Sequence, residues 1–213
     1  LPEAICNYLA LLGWSPGDDR ENVTMKELTE LFTVEKVHSS PARFDMKKLE
    51  AINGDKIRAL TIDEFLDWSL PFLTKAGVVS GSADEIALVK LALPLIQERI
   101  IMLSEVPAML KFLFVKNFAV EADSVAKITD DASKQVLERS LKELEPLATW
   151  THESIEAALR SSLIEEMGLK PRIAFGAVRI ATTGSTISPP LFESMELLGK
   201  EASLARIRAG IKL

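Results

Sequence analysis

Apolar residues recur every three or four positions along most of the chain, which is the spacing of amphipathic helices. Residues 1–13 form the first such pattern. Polar residues suited to capping a helix predict further starts at Thr24, Asp45, Thr61, Asp130, Thr151 and Ser188. No segment keeps the two-residue alternation of a β-sheet, and no internal repeat is visible. The predicted fold class is therefore all-α, built from consecutive helical bundles.

Several stretches are predicted to depart from a regular helix. The pattern over residues 83–103 contains Pro94, which predicts a break near Ala92. Residues 34–37 are predicted to be extended, and the Asn53-Gly54 pair is predicted to interrupt the helix that Asp45 begins. The remaining local predictions are a turn at residues 39–41, a buried helix over residues 106–118, a short apolar element around Arg179, and core positions for Trp14 and Trp68.

The composition is that of a folded protein. The chain has 213 residues, of which 47% are hydrophobic and 26% charged, so intrinsic disorder is excluded. The single cysteine, Cys6, excludes a disulfide scaffold. No apolar run approaches the roughly 18 residues of a membrane span, and no signal peptide opens the chain. We expect a cytoplasmic fragment of a longer protein, since the chain does not begin with methionine.

Charge is unevenly distributed along the chain. The formal net charge is −6, which by itself argues against binding to nucleic acid. Residues 1–169 have a net charge of −10, whereas residues 170–213 have a net charge of +4. This asymmetry predicts a cationic face for an anionic partner at the C-terminal end. Chance, together with the usual preference of Lys and Arg for helix ends, remains an alternative interpretation.

Side chains suited to catalysis are sparse. His38, His152 and Cys6 are too few and too scattered for a structural zinc site. No glycine-rich phosphate loop and no nucleophile-elbow motif is present. We therefore predict no metal site and no catalytic residue, and we expect that this chain does not catalyse a reaction alone.

Three motifs resemble the bacterial-type glutamyl-tRNA synthetases, a family of class I aminoacyl-tRNA synthetases. Residues 2–14 resemble the stretch that follows the family's ATP-site lysine loop. Residues 44–53 resemble its Phe-Asp…Lys-Leu…Asn motif, although Ala51 and Lys56 stand where the family often has an aromatic residue. Residues 178–206 resemble its C-terminal motif. Each match is modest, but their order along nearly the whole chain is specific.

The resemblance implies that this chain is the tRNA-binding half of a glutamate–tRNA ligase. The family's two ATP-site motifs are absent here, so ATP and Mg²⁺ would be bound by a catalytic domain of the parent, and no cofactor is expected in this fragment. The implied partner is tRNA-Glu, with tRNA-Gln also possible, and the implied state is a monomer without membrane contact. The implied domains are a stem-contact region over residues 1–64, a first helical anticodon-binding domain over 65–118, and a second over 119–213.

The resemblance also assigns residues to the RNA. The implied anticodon-binding residues are Arg99, Arg179, Ser188 and Leu191. Arg179 would read a base with its planar guanidinium, Ser188 would begin a helix that accepts a phosphate, and Leu191 would supply a stacking or shape contact. In the family, arginine at the position of Arg99 is associated with enzymes that discriminate tRNA-Glu from tRNA-Gln. The possible contacts to the tRNA backbone are Arg43, Lys47, Lys48 and Arg172.

Two functions from other classes stay open. The chain could be an acidic helical module that binds a basic protein through residues 1–169 and has no role with RNA. It could also be a helical enzyme in its own right, although no acid–base constellation supports this. Arg43, Lys47 and Lys48 could equally be an ordinary solvated helix face, and Arg99 could be an exposed residue paired with Glu98 or with a carbonyl near a helix end.

Overall fold

The computed structural model describes residues 1–38 and 43–213, and within these ranges it contains helices and no β-strand. The prediction of an all-α fold is confirmed. The first seven helices are α1 (Pro2–Leu11), α2 (Met25–Leu31), α3 (Met46–Ala59), α4 (Ile62–Lys75), α5 (Ala83–Ala92), α6 (Pro94–Gln97) and α7 (Val106–Leu110). The others are α8 (Ala122–Val125), α9 (Asp131–Leu144), α10 (His152–Leu159), α11 (Pro171–Thr183), α12 (Leu191–Leu198) and α13 (Lys200–Ile211).

Most of the predicted helix starts are confirmed by the cap geometry. The hydroxyl of Thr24 accepts a hydrogen bond from the backbone N–H of Glu27, whose carboxylate accepts from the backbone of Thr24 in return. Thr61 and Glu64 form the same reciprocal pair at α4. Asp45, Asp130 and Thr151 cap α3, α9 and α10. These contacts depend only on residues two or three positions apart, which is why the sequence reveals them.

Two local predictions are wrong. Helix α3 continues through Asn53 and Gly54. Gly54 is buried, and a Cβ atom at this position would lie 3.1 Å from a methyl group of Ile101. The glycine there serves a close packing contact and does not end the helix. Residues Val34–Lys36 form a 3₁₀ turn and not an extended piece. The turn predicted at residues 39–41 lies outside the described residues.

The long helical patterns are divided into shorter pieces. The predicted break near Ala92 is confirmed, since α5 ends there and α6 ends at Gln97. The single helix predicted over residues 106–118 is wrong: α7 is followed by a 3₁₀ turn over Lys111–Leu113. The chain after α10 continues as a π-helical stretch over Arg160–Glu166. Trp14 is buried as predicted, but Trp68 is 42% exposed.

Buried apolar side chains form separate groups along the chain. Two small groups in the N-terminal part are built around Tyr8 and Trp14. A middle group extends from Ile57 to Leu110, and a C-terminal group extends from Ile128 to Ile207. Helix α3 contributes Ile52 to an N-terminal group and Ile57 to the middle group. One helix therefore contributes side chains to two cores. The predicted domain boundaries remain a prediction.

A buried arginine joins the middle part of the chain to the C-terminal part. Arg206 on α13 donates hydrogen bonds to the carbonyl oxygen of Thr182 at 2.7 Å and to that of Phe112 at 2.8 Å. Its guanidinium lies 3.9 Å from the ring centroid of Phe118. Burial lowers the pKa of Arg206 to about 10, because removal from water disfavours the charged form of the guanidinium.

Candidate nucleic-acid interface

Arg179 lies in the last turns of helix α11, with its guanidinium directed at the segment that leads to α12. One guanidinium nitrogen, Nη1, donates to the hydroxyl of Ser188 at 2.6 Å and to the carbonyl oxygen of Pro189 at 2.7 Å. Neither Nε nor Nη2 donates to any residue that the structure describes. The guanidinium is therefore anchored on one side, and its other donors remain available to a ligand.

The sequence-based account of Arg179 needs two corrections. The short apolar element predicted around it is the long helix α11, whose Val178 and Ile180 are buried in the C-terminal core. The guanidinium expected to read a base is also partly engaged, because Nη1, one of its three nitrogens, contacts Ser188 and Pro189. These contacts hold the side chain in one orientation, which lowers the entropy lost when it binds.

The segment between α11 and α12 is held firmly at its start. Gly184 ends α11 in the left-handed conformation, with φ of +85°. A side chain there would lie 3.2 Å from the carbonyl oxygen of Ala119 and 3.3 Å from the Phe118 ring. The carbonyl of Gly184 accepts a hydrogen bond from the backbone N–H of Glu121 at 2.9 Å. The loop is thus fixed against residues 118–121 at the point where it leaves Arg179.

The structure changes the roles of Ser188 and Leu191. Helix α12 begins at Leu191 with Pro190 at the cap position, two residues later than the predicted cap, and Ser188 makes no capping contact with it. The Ser188 hydroxyl is buried and accepts from Arg179, so its role is to orient that side chain. Leu191 is only 3% exposed and belongs to the C-terminal core. The predicted stacking by its side chain is therefore not supported, because an apolar residue at this position packs inward.

The charge of Arg99 acts on Arg179 although 80 positions separate the two residues in the chain. The pKa of Arg179 is lowered first by burial and then by the positive charge of Arg99, while Glu193 opposes the shift. Arg99 is exposed and forms no ion pair with a described residue, so the pairing with Glu98 considered above is not observed. The turn before it is held by Gln97, whose buried amide donates to the carbonyls of Ile57 and Leu60 at 2.9 and 2.8 Å.

A cleft of about 770 Å³ lies beside Arg179. One wall is α11, and the other is formed by the segment after α8, the start of α9 and the loop after α11. Its lining includes three cationic residues, Lys127, Arg172 and Arg179. Arg172 was predicted as a backbone contact, whereas Lys127 was missed because it lies in the acidic part of the sequence. The cleft therefore brings together cations that sequence position separates.

Apolar side chains that sequence reasoning did not select surround the same cleft. Phe175 and Phe192 form an edge-to-face pair with centroids 5.2 Å apart, and Phe175 lines the cleft. Ile187 is 75% exposed in the loop before Ser188. In the sequence, the signal that could have identified this position is an isoleucine in a loop of polar residues.

The cations of the C-terminal segment do not form one open face. Arg206 is buried, Lys200 donates to the carbonyl oxygen of Leu147 at 2.7 Å, and Arg208 pairs with Glu145 at 2.5 Å. The predicted cationic face is thus smaller than the net charge of this segment suggests. What remains is concentrated at the cleft, where Lys127 from the preceding segment adds to it.

The predicted backbone contacts near the N-terminus occupy a different surface. Arg43 and Lys47 are exposed and line a shallow cleft with Phe44, Asp45 and Met46. Lys48 is half-buried and pairs with Glu21, with Nζ and Oε1 2.6 Å apart. Arg43 and Lys47 remain candidates for phosphate contacts, while part of the charge of Lys48 is already neutralised.

His152 is partly exposed to solvent, with its side chain 40% exposed, and it also makes a structural contact. Its Nδ1 lies 2.7 Å from Oε2 of Glu196, which joins the start of α10 to α12. This hydrogen bond is the main reason that the pKa of His152 is raised.

No helix among the described residues is long and apolar enough to cross a membrane.

The chain matches the family described as the anticodon binding domain over residues 58–211. Residues 1–51 match a second family, the catalytic domain of class I tRNA synthetases of the glutamyl and glutaminyl type. The first match covers more than half of the chain and includes the cleft, Arg99 and Arg179. This protein belongs to the anticodon binding domain family of class I aminoacyl-tRNA synthetases.

Relatives that are similar in sequence carry the name glutamate–tRNA ligase. The protein from Saccharopolyspora erythraea is 49% identical over 212 residues, which are 98% of this chain and 42% of the relative. The Nocardioides relative is 46% identical and is covered to 44% of its length. A crystal structure of a glutamate tRNA ligase from Elizabethkingia meningosepticum superposes with a TM-score of 0.81 at 25% identity, over all of this chain and 41% of that one. The chain thus spans less than half the length of these relatives.

Proposed function

We propose that this chain is the tRNA-binding part of a cytoplasmic, monomeric glutamate–tRNA ligase and that it recognises the anticodon loop of tRNA-Glu. The observation that carries this proposal is the cleft lined by Lys127, Arg172 and Arg179, in which one side of the Arg179 guanidinium is held by Ser188 and Pro189. Arg99 lies in the middle part of the chain and Arg179 in the C-terminal part. A single RNA loop that contacts both arginines would therefore be recognised by both parts at once.

The geometry supports recognition of bases as well as phosphates. Arg179 is held by Ser188 and Pro189 on one side, and its remaining donors can form paired hydrogen bonds with acceptors on the edge of an unstacked base. The repulsion between Arg99 and Arg179 is relieved when electronegative base atoms or a phosphate lies between them. Lys127 and Arg172 would add affinity without sequence information.

The N-terminal part supports the larger setting of this proposal. Residues 1–51 match the catalytic-domain family, and exposed apolar side chains such as Ile5, Leu9 and Met46 lie on this part. The rest of a catalytic domain would cover such a surface. In this proposal that domain supplies the sites for ATP and Mg²⁺, joins glutamate to the tRNA, and leaves this chain non-catalytic by itself.

The proposal is tested by the affinity of this chain for anticodon stem-loops of tRNA-Glu and tRNA-Gln, measured by fluorescence anisotropy. We expect Arg179→Ala to weaken binding of the tRNA-Glu stem-loop by about 1–3 kcal/mol and to reduce the preference over an anticodon-swapped loop, since a bidentate base contact is lost. Arg99→Gln should reduce the difference in affinity between the stem-loops of tRNA-Glu and tRNA-Gln. Arg172→Ala is the matched control, because a lost phosphate contact weakens all loops equally and lowers the salt dependence.

The rival function predicts other results in the same experiment. An acidic protein-binding module would show no stem-loop binding that falls steeply with salt, and Arg179→Ala would leave every measured affinity unchanged. An unaltered preference between cognate and swapped loops in Arg179→Ala would show that the assigned role of this residue is wrong.

A further inference from the structure

Gly176 is the one glycine among the ten in this chain that the folded structure itself does not explain. Six glycines have a positive φ, which other residues rarely adopt: Gly17, Gly77, Gly81, Gly168, Gly184 and Gly199. Three more have no room for a side chain, since an added Cβ would meet another residue at 3.1 Å: Gly13, Gly54 and Gly210. Gly176 has neither feature. It lies inside α11, and an added Cβ would have nothing within 4 Å.

A glycine in this position weakens the helix. Glycine loses more backbone freedom than alanine when it enters a helix, so it is disfavoured at interior positions. No compensating contact within the described residues requires it. The loss of helix stability at Gly176 is thus not explained by contacts within the described residues. It indicates that something outside the chain approaches the backbone closely at this position.

The surroundings of Gly176 indicate the chemistry of what approaches. Gly176 lines the cleft that also contains Arg179. Ile173 and Ile180, three residues before and four after it, share its side of the helix and also line the cleft. Ile173 is 55% exposed. The floor of the cleft is therefore flat and apolar at Gly176, with the cationic residues Lys127, Arg172 and Arg179 around it.

We infer that a nucleobase of the bound RNA loop lies flat against α11 at Gly176, while Lys127 and Arg172 hold the flanking phosphates. A base has an apolar face and a polar edge, and an unstacked base gains stability when it lies on an apolar surface. The absent side chain at Gly176 lets the base reach the backbone, and Arg179 stands one turn further along the helix to meet its edge. This inference rests on the proposed function, and it adds a contact surface that acts through the absence of a side chain.

The test compares Gly176→Ala and Gly176→Leu with the unchanged chain in two measurements, thermal unfolding and anisotropy with the tRNA-Glu anticodon stem-loop. Alanine should raise the midpoint of unfolding by about 1–4 °C, because it favours the helix and meets empty space. The same substitution should weaken RNA binding several-fold, and leucine should weaken it by about tenfold or more, since the base is displaced from its surface. A glycine with a structural role would give the opposite pattern, lower stability with unchanged affinity.

The control is Ala87→Leu, which enlarges an exposed side chain on α5 away from this cleft and should leave RNA affinity unchanged. The inference is overturned if the unchanged chain binds the stem-loop and Gly176→Leu binds it equally well. It is also overturned if Gly176→Ala lowers the midpoint of unfolding. If the unchanged chain binds no stem-loop at all, the proposed function itself fails, and that result is distinct from either of these.

Discussion

The N-terminal region (residues 1–60) and the C-terminal region (residues 119–213) are both helical but are held together differently. The C-terminal region has a continuous apolar core in which Leu137, Leu144 and Ile155 are wholly buried. The N-terminal region has two small apolar groups, and several large apolar side chains remain on its surface: Ile5, Leu9, Phe32, Val34, Val37, Phe44 and Met46.

Buried polar contacts take the place of a large core in the N-terminal region. The side chain of Asn7 donates to the carbonyl oxygen of Glu21 and accepts from the backbone N–H of Val23. Lys56 donates to the carbonyl oxygen of Val23 at 2.7 Å, and burial lowers its pKa. The C-terminal region thus gathers its large apolar side chains mainly in one core, whereas the N-terminal region is organised around a few hydrogen bonds and leaves more of them exposed.

Substitution of the core is expected to show the largest difference between the two regions. Ile155→Ala should lower the free energy of unfolding by about 2–5 kcal/mol, because it removes wholly buried methyl groups and leaves a cavity. Leu9→Ala, at a residue that is 53% exposed, should change it by less than about 0.5 kcal/mol. Urea unfolding followed by circular dichroism measures both. Equal losses would show that Leu9 is buried in solution and would remove the contrast.

A somewhat smaller effect is expected where the C-terminal region meets the middle of the chain. Arg206→Ala should lower the free energy of unfolding by about 2–4 kcal/mol, since the carbonyls of Thr182 and Phe112 lose their donor and Phe118 loses its cation. Lysine at this position can satisfy only part of that geometry and should recover only part of the stability. The measurement is urea unfolding with two probes, tryptophan fluorescence and overall helicity. If Arg206→Ala unfolds like the unchanged chain, the guanidinium does not join these parts.

The smallest effect is expected from the polar centre of the N-terminal region. Asn7→Ala should destabilise that region by about 1–3 kcal/mol, because the buried N–H of Val23 loses its acceptor. Hydrogen exchange should become faster around residues 7–31 and stay unchanged in α9 and α11. Faster exchange throughout the chain would contradict the view that the two regions are stabilised separately.

The sequence was sufficient for features that depend on neighbouring positions. The helical class followed from apolar spacing, and the capping contacts of Thr24, Asp45 and Thr61 followed from residues two or three positions away. It was insufficient where a distant contact decides the local structure. Gly54 was expected to interrupt α3, but Ile101 from another segment packs against it and the helix continues.

The candidate site shows the same limit. Arg179 and Ser188 were selected from the sequence, but their mutual hydrogen bond was not, and Leu191 was expected outside the core. Lys127 was missed because its neighbours in sequence are acidic. The roles of Arg99, Arg43, Lys47 and Arg172 towards RNA remain predictions, although Arg172 lines the cleft and the charge of Arg99 acts on Arg179.

By itself, the sequence determined that the chain is helical, where most helices begin, and that its net positive charge lies in residues 170–213. Only the tertiary structure decided what each cation does. Arg179 and Arg206 are the same residue type in one short segment, yet the first keeps free donors beside a cleft and the second is buried between two carbonyls and a ring. The reason is physical: helix propensity and capping act over a few residues, whereas burial and electrostatic environment depend on side chains brought together from distant parts of the chain.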